Sequence, residues 1–424
     1  MFTLSQFDRE IKNLYKETKY HDLVQFFKEN RQCFTIEEIA ENATIISCLL
    51  NSFRRLAKFS YAILFMDYFD IRIHEKTDDH LLLAYGWLLW MILNHQMKNM
   101  ACDKLIALDV SGAKHSSRRL NTVQDLEKEI RSILTILPKA KVDYTKALYS
   151  TLAVSLLKFK KKQRNKSWYS INTLCDELDI KLLDTKPRTI KTTNANTAIE
   201  LASDLENWFA FKTQALEKLE KYEECYSLSK ESLQTITSLH HSNDIWFARR
   251  IALSRKHMGD ITRAITDYVG LLKKKNDWFL WKELAELYWL QNNVKLAFEC
   301  AVKAACLNGK IQYKIGLLLL LGDILYKTGK DKMAFRHYKF IQLIRLKNKW
   351  MVPSTLMDRL NKFSESNVEF TFYELQNSLK SFWMSFGFTL QHGKNYKVSV
   401  KKKNTFGRQH PKIGEQKCMI QYVT

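Results

Sequence analysis

The sequence predicts an all-α chain, a solenoid of antiparallel helix pairs, and three observations predict it. The 424 residues include 12 glycines and 4 prolines, too few for the turns of a sandwich, a barrel or a glycine-rich cofactor fold. Apolar residues recur at three- and four-residue spacing through long stretches without glycine, before Gly86 and between Gly112 and Gly259. One template also recurs between residues 199 and 345 at a period of 33 to 39 residues. With 46% hydrophobic residues the chain can bury an extended core.

The chain opens MFTLSQFDRE, with charge from Asp8 onward and no apolar run behind it. No secretory signal peptide is expected, and the protein is placed in the cytoplasm. Lys19–Leu23 reads as the start of a pair's second helix, and Ala62, 39 residues after Leu23, repeats that place. The run Leu81–Leu93 is thirteen residues long, short of the roughly 20 that span a bilayer. It is expected to be a buried helix. Residues 1–137 are read as an N-terminal lobe of degenerate repeats. The eight cysteines (33, 48, 102, 175, 225, 300, 306, 418) include no CxxC and are expected to be reduced, buried thiols.

Residues 110–198 break the rhythm. Helices are expected at 122–137 and 143–158, followed by a basic run, Pro187 and the polar stretch Thr189–Thr197. Residues 138–198 are therefore read as a basic helix and linker between two lobes.

The repeats are clearest in 199–349. Trp281, Leu284, Ala285 and Tyr288 share one helical face, Gln291–Asn293 form a turn, and Ala297, Ala301 and Ala304 share a second face. Leu318, Leu321, Gly322 and Leu325, the turn 327–330, and Ala334, Tyr338 and Ile341 repeat this further on. Ala252, Gly259–Asp260, Ala264 and Tyr268 repeat it before, as do Phe209, Leu216 and 221–225. Small residues let paired helices approach, and large ones fill the space between pairs. This template is similar to the tetratricopeptide repeat (TPR), although Gly309 stands where that repeat places a closing proline. The resemblance implies a right-handed superhelix whose first helices line a concave, partner-binding groove. More faintly, Ala202–Trp208 through Lys230, and Asn243–Arg250, resemble TPR proteins of bacterial anti-phage conflict gene clusters. Some members of that group carry a C-terminal nucleic-acid module, which implies a defence-linked setting.

After Pro353, residues 350–390 are read as a capping region with a helix around Phe372–Phe386. In the basic segment 391–424, Tyr396–Val400 and Cys418–Val423 alternate like short strands, enough for a hairpin or part of a small β module.

Lys+Arg 67 against Asp+Glu 45 give a formal charge of +22, which points to an anionic partner. Residues 139–192 hold thirteen basic and five acidic residues, and 393–424 hold eight and one. The nucleic-acid candidates are Lys158, Lys160, Lys161, Lys162, Arg164 and Lys166, beside Phe159, Trp168 and Tyr169, together with Lys401, Lys402, Lys403 and Arg408. Cations neutralise phosphates and aromatic rings stack on bases; the same residues also suit an acidic protein, or a merely solvated surface. Arg249, Arg250, Lys256, Trp281 and Lys282 are the candidates for a protein-binding groove, the alternative being side-chain stems packed with their charges in solvent.

Signals for chemistry are weak. Gly322–Lys330 superficially resembles a phosphate loop, but six residues separate its glycines and Asp331 follows the lysine. Asp179-Ile180-Lys181 has a nuclease-like spacing but is read as part of an amphipathic helix, where positions two apart do not face each other. His240 and His241, with Asp244, lack further ligands at helical spacing, and Asn243 or Asp244 is expected to cap a helix starting at Ile245. No catalytic residue, metal, cofactor, small-molecule substrate or membrane partner is expected. The sequence reads as a non-enzymatic scaffold or adaptor that binds a protein, the alternative being a component that binds RNA or single-stranded DNA.

Overall fold

The computed structural model describes residues 3–98, 120–191, 198–363, 369–386, 389–392, 394–397 and 421–422. Among them are nineteen α-helices, with few strands. The chain divides into two compact units, residues 1–244 and 245–424.

In the first unit, α1 (Leu4–Lys16), α2 (Tyr20–Asn30), α3 (Ile36–Ala40), α4 (Ala43–Arg55) and α5 (Phe59–Tyr68) precede α6 (Asp79–Lys98). α4 packs against α1, α2, α5 and α6. The run Leu81–Leu93 lies within α6, with Leu88, Leu89, Ile92 and Leu93 fully buried. Among the described residues no helix is long and apolar enough to cross a membrane. α7 (Val123–Ile136), α8 (Thr145–Lys162), α9 (Trp168–Glu177), α10 (Asp204–Lys218) and α11 (Tyr222–Thr235) follow. α8 packs on α6, α7, α9 and α10. The stretch 138–198 thus holds packed helix inside the first unit.

Two readings of that stretch change. The amphipathic helix expected to include Asp179–Lys181 stops at Glu177, because Leu178 is extended and Asp179 turns back to accept from the Lys181 backbone N–H at 3.0 Å. Thr189, expected to open a polar linker, lies in β1 (Arg188–Lys191), which pairs antiparallel with β2 (Ala198–Leu201).

The second unit stacks three helix pairs: α12 (Asn243–His257) with α13 (Ile261–Lys274), α14 (Trp278–Leu290) with α15 (Val294–Cys306), and α16 (Ile315–Lys327) with α17 (Asp331–Lys347). α13 packs on α14 and α15 on α16, so successive pairs share one core. Ala297, Ala301 and Ala304 are fully buried where α15 closes on α14. Gly322 serves the same purpose on α16: a Cβ there would lie 2.5 Å from the Tyr338 ring. α18 (Ser354–Leu360) and α19 (Phe372–Met384) close the array, α19 laying Leu375, Leu379 and Trp383 against α15 and α17. β3 (Thr389–His392), β4 (Lys394–Lys397) and β5 (Gln421–Tyr422) form an antiparallel sheet in that order. Strands were expected near β4 and β5; β3 was not.

One turn recurs through both units. Between α1 and α2, α4 and α5, α10 and α11, α12 and α13, α14 and α15, and α16 and α17, a helix ends, one residue takes a positive φ, and the next helix begins. Those residues are Thr18, Ala57, Glu220, Gly259, Asn292 and Gly329, with φ from 53° to 87°. In each turn the following N–H donates to the carbonyl five residues back, as Lys19 to Leu14 and Lys330 to Leu325, at 2.8–3.0 Å. This is the left-handed helix terminator that satisfies otherwise orphaned carbonyls. It makes these pairs versions of one TPR-like element.

Lys314 closes α15 by another route. Its side chain is nearly buried, and Nζ donates to the Ala304, Ala305 and Leu307 carbonyls. Burial pushes its pKa down to about 8. Cys48, Cys175, Cys225 and Cys300 are buried free thiols, whereas Cys33 and Cys306 are exposed.

Candidate functional site

The five groove candidates all lie on α12 and α14, but most of their charge is turned inward. Arg249 Nε donates to both oxygens of Glu283 at 3.1 and 2.9 Å, and its Nη2 donates to Oε1. Both side chains are largely buried. The Arg249 guanidinium also lies within 6.0 Å of the rings of Trp246 and Phe279, which stack on each other at 5.5 Å. Lys256 and Lys282 converge on Glu286, at 2.8 and 2.6 Å. Burial raises the Glu286 pKa, and the two ammonium groups more than reverse this, holding it below its ordinary value. Arg250 is buried, 6.0 Å from the Phe247 ring centre. Trp281 Nε1 donates to Asn276 Oδ1 at 2.6 Å. Arg249 and Lys256 therefore tie one helix pair to the next. Each cation finds its carboxylate about one repeat further along the chain, at Glu283 and Glu286. That spacing was available in the sequence as a signal.

The first basic patch divides differently. Lys160 is buried and grips Glu127 through both oxygens at 2.7 and 2.8 Å. Burial raises the Glu127 pKa, but Lys160 and Arg131 together hold it below its ordinary value. Lys160 thus joins α8 to α7. Lys158, Lys161, Lys162, Arg164 and Lys166 are exposed at the end of α8 and the start of α9. Lys161 lies 5.2 Å from the Phe211 ring and Lys166 5.9 Å from Trp168. Among the described residues no carboxylate forms an ion pair with Lys162, Arg164 or Lys166. Tyr169 stands beside them, 71% exposed. Lys401, Lys402, Lys403 and Arg408 lie outside the described residues.

The charge divides between the units. Residues 245–424 hold 32 Lys/Arg against 13 Asp/Glu, whereas residues 1–244 hold 35 against 32. In the second unit many cations face aromatic rings: Lys327 over Trp289, Lys330 over Phe298, Lys347 over Phe372 and Lys362 over Tyr326.

His240 is not poised for a metal. Its ring Nδ1 pairs with the buried Glu206 at 2.8 Å, and its backbone N–H donates to the other oxygen at 2.7 Å. Asn243 donates its side-chain amide to Glu206 as well. The helix expected to start at Ile245 begins at Asn243 itself. The hydrogen bond to Glu206 raises the His240 pKa, against burial, which lowers it. Among the described residues no cluster of His, Cys, Asp and Glu has metal-binding form.

One cleft was not anticipated. About 330 Å³ in volume, it lies among α16, α17 and α18, lined by Asp323, Tyr326, Thr355, Asp358, Arg359 and Lys362. Asp323 accepts from the Tyr338 hydroxyl at 2.7 Å and from Arg359 at 2.8 and 3.2 Å. The polar groups at its floor are thus already paired. Asp323 and Arg359 are again about one repeat apart.

Residues 245–378 match a protein family described as a domain of unknown function (DUF7017). No curated protein matches the chain. The solved structures similar to it include the following. BtubC from P. vanneervenii shares 11% identity over 64% of this chain and 94% of its own, with a TM-score of 0.33. The human IFIT1 dimer with PPP-AAAA shares 13% over 90% and 78%, with a TM-score of 0.35. The APC/C hetero-tetramer Cut9–Hcn1 shares 13% over 90% and 74%, also with a TM-score of 0.35.

Proposed function

We propose that this protein is a non-enzymatic binding scaffold whose partner is a single-stranded nucleic acid. The observation that supports this reading is the exposed basic end of α8, where Lys162, Arg164 and Lys166 have no acidic partner among the described residues and Tyr169 is 71% exposed. Unpaired cations release counter-ions when they meet phosphates, and an exposed ring offers a stacking surface. The groove cations, by contrast, spend their charge on Glu283 and Glu286. That weakens the alternative of a basic groove for an acidic peptide. The resemblance of residues 199–350 to anti-phage TPR proteins supports placing the scaffold in a bacterial defence setting.

The test is a titration with labelled oligo(dT) and oligo(U) over a series of salt concentrations. Replacing Lys162, Arg164 and Lys166 with alanine should flatten the log–log salt slope by about 2, at roughly 0.7 per lost single-strand phosphate contact. All three side chains are exposed, so thermal stability should move by no more than about 0.5 kcal/mol. An unchanged slope sinks the proposal.

A further inference from the structure

The end of α17 presents large apolar side chains on a fixed backbone. Leu346 is 57% exposed, Trp350 42% and Met351 84%. Lys349 takes a φ of 56°, and the Trp350 N–H closes the turn on the Arg345 carbonyl at 2.8 Å. The Arg345 guanidinium donates to the Met351 carbonyl at 2.8 Å, and Pro353 follows. Two hydrogen bonds thus hold Trp350 and Met351 outward. Single exposed apolar residues are ordinary, but three within six residues on a pinned turn form a patch.

The surroundings are basic. Residues 332–357 include six Lys/Arg and no Asp/Glu, and Lys347 and Lys349 sit within the patch itself. This charge selects among occupants. A second copy would bring the same cations face to face. The chain's own residues 398–420 hold six Lys/Arg and one Glu, the same sign again. A nucleic acid would suit the lysines and Trp350, but Leu346 and Met351 have no ring face to offer a base. Exposed Trp and Met are enriched in the cores of protein interfaces.

We infer that this turn docks an acidic segment of a partner protein, one whose apolar side chains seat on Leu346, Trp350 and Met351 while its carboxylates meet Lys347 and Lys349. The surface is independent of the nucleic-acid site proposed on α8.

The probe is a labelled sixteen-residue peptide repeating Glu-Leu-Asp-Phe, compared with one repeating Glu-Ser-Asp-Ser, each titrated against the full-length chain. The apolar peptide should bind about tenfold more tightly, a difference of about 1.4 kcal/mol. The double variant Leu346→Ser/Met351→Ser should abolish that preference and leave oligo(dT) binding and the thermal melt unchanged. Equal binding of the two peptides, or a preference that survives in the variant, overturns the inference. So does a variant that loses binding to phosphatidylserine vesicles or to oligo(dT) while the peptides are unaffected. Intact oligo(dT) binding alongside a failed peptide preference would remove this surface and leave the nucleic-acid reading standing.

Discussion

The same inter-helix turn is built from different residues in the two units. The first unit places Thr18, Ala57 and Glu220 at its positive-φ position, and the second places Gly259, Asn292 and Gly329 there. Side chains with a Cβ resist this conformation, whereas glycine accepts it freely and asparagine tolerates it. The first unit therefore carries local strain but nearly balances its charge. The second has relaxed turns within its three helix pairs and a large excess of cations. Backbone comfort and electrostatic balance are separate quantities, and each unit has settled one of them.

Acid should separate the units most strongly. His337 is fully buried on α17, its Nδ1 at 2.7 Å from the Met333 carbonyl and its Nε2 accepting from Trp383 at 3.0 Å. Burial lowers its pKa from 6.5 to about 4. Between those values the unfolded chain takes up a proton that the folded one refuses, so stability falls as pH drops from 6.5 to 4. The loss approaches about 3 kcal/mol, at 1.36 kcal/mol per pKa unit. His240 in the first unit has the opposite sign. Its raised pKa contributes stability that is fully present below 6.5 and is lost as pH rises through the folded value. Hydrogen exchange followed peptide by peptide should show protection of α19 failing on acidification, and His337→Gln should remove that pH slope. An α19 that resists acid as well in the parent as in the variant would refute the assignment.

The ion pairs sharpen the contrast. Glu283→Ala leaves Arg249 largely buried without its main carboxylate and should cost about 2 kcal/mol, discounted for residual exposure. Lys160→Met leaves Glu127 still paired with Arg131 at 2.9 Å and should cost about 1 kcal/mol in a urea titration. Equal losses would mean that the partly buried pairs of the two units are alike.

The turns themselves give the smallest effects. Glycine at Thr18, Ala57 or Glu220 should stabilise the first unit, and alanine at Gly259 or Gly329 should destabilise the second, each by about 1 kcal/mol or less. Thermal melts that move the other way would break the comparison.

This difference also explains what the sequence made visible. Gly259, Asn292 and Gly329 are turn-forming residues, so the three pairs that they join stand out. Thr18 and Ala57 do not look like turn residues, and the N-terminal pairs are correspondingly faint. Helix boundaries followed from apolar spacing at α7, expected at 122–137 and found at Val123–Ile136. The site was less legible. Spacing placed Arg249 and Lys256 on one helix but did not say that Glu283 and Glu286 would come to meet them. Lys160 differs from Lys161 only in which side of α8 it occupies, and Glu127, 33 residues away, makes it structural. The strand β1 was hidden because a two-stranded hairpin with exposed residues has no buried face to impose an alternating pattern.

A turn closed by backbone groups alone asks almost nothing of its side chains. Any residue that tolerates a positive φ at a cost of about 1–2 kcal/mol can stand there. An array held by a continuous core can absorb that cost at one joint and then at another. Letters at the joints are thus free to drift while the joints keep their geometry. Such a molecule can grow or diverge pair by pair, its history surviving in its backbone after it has faded from its sequence.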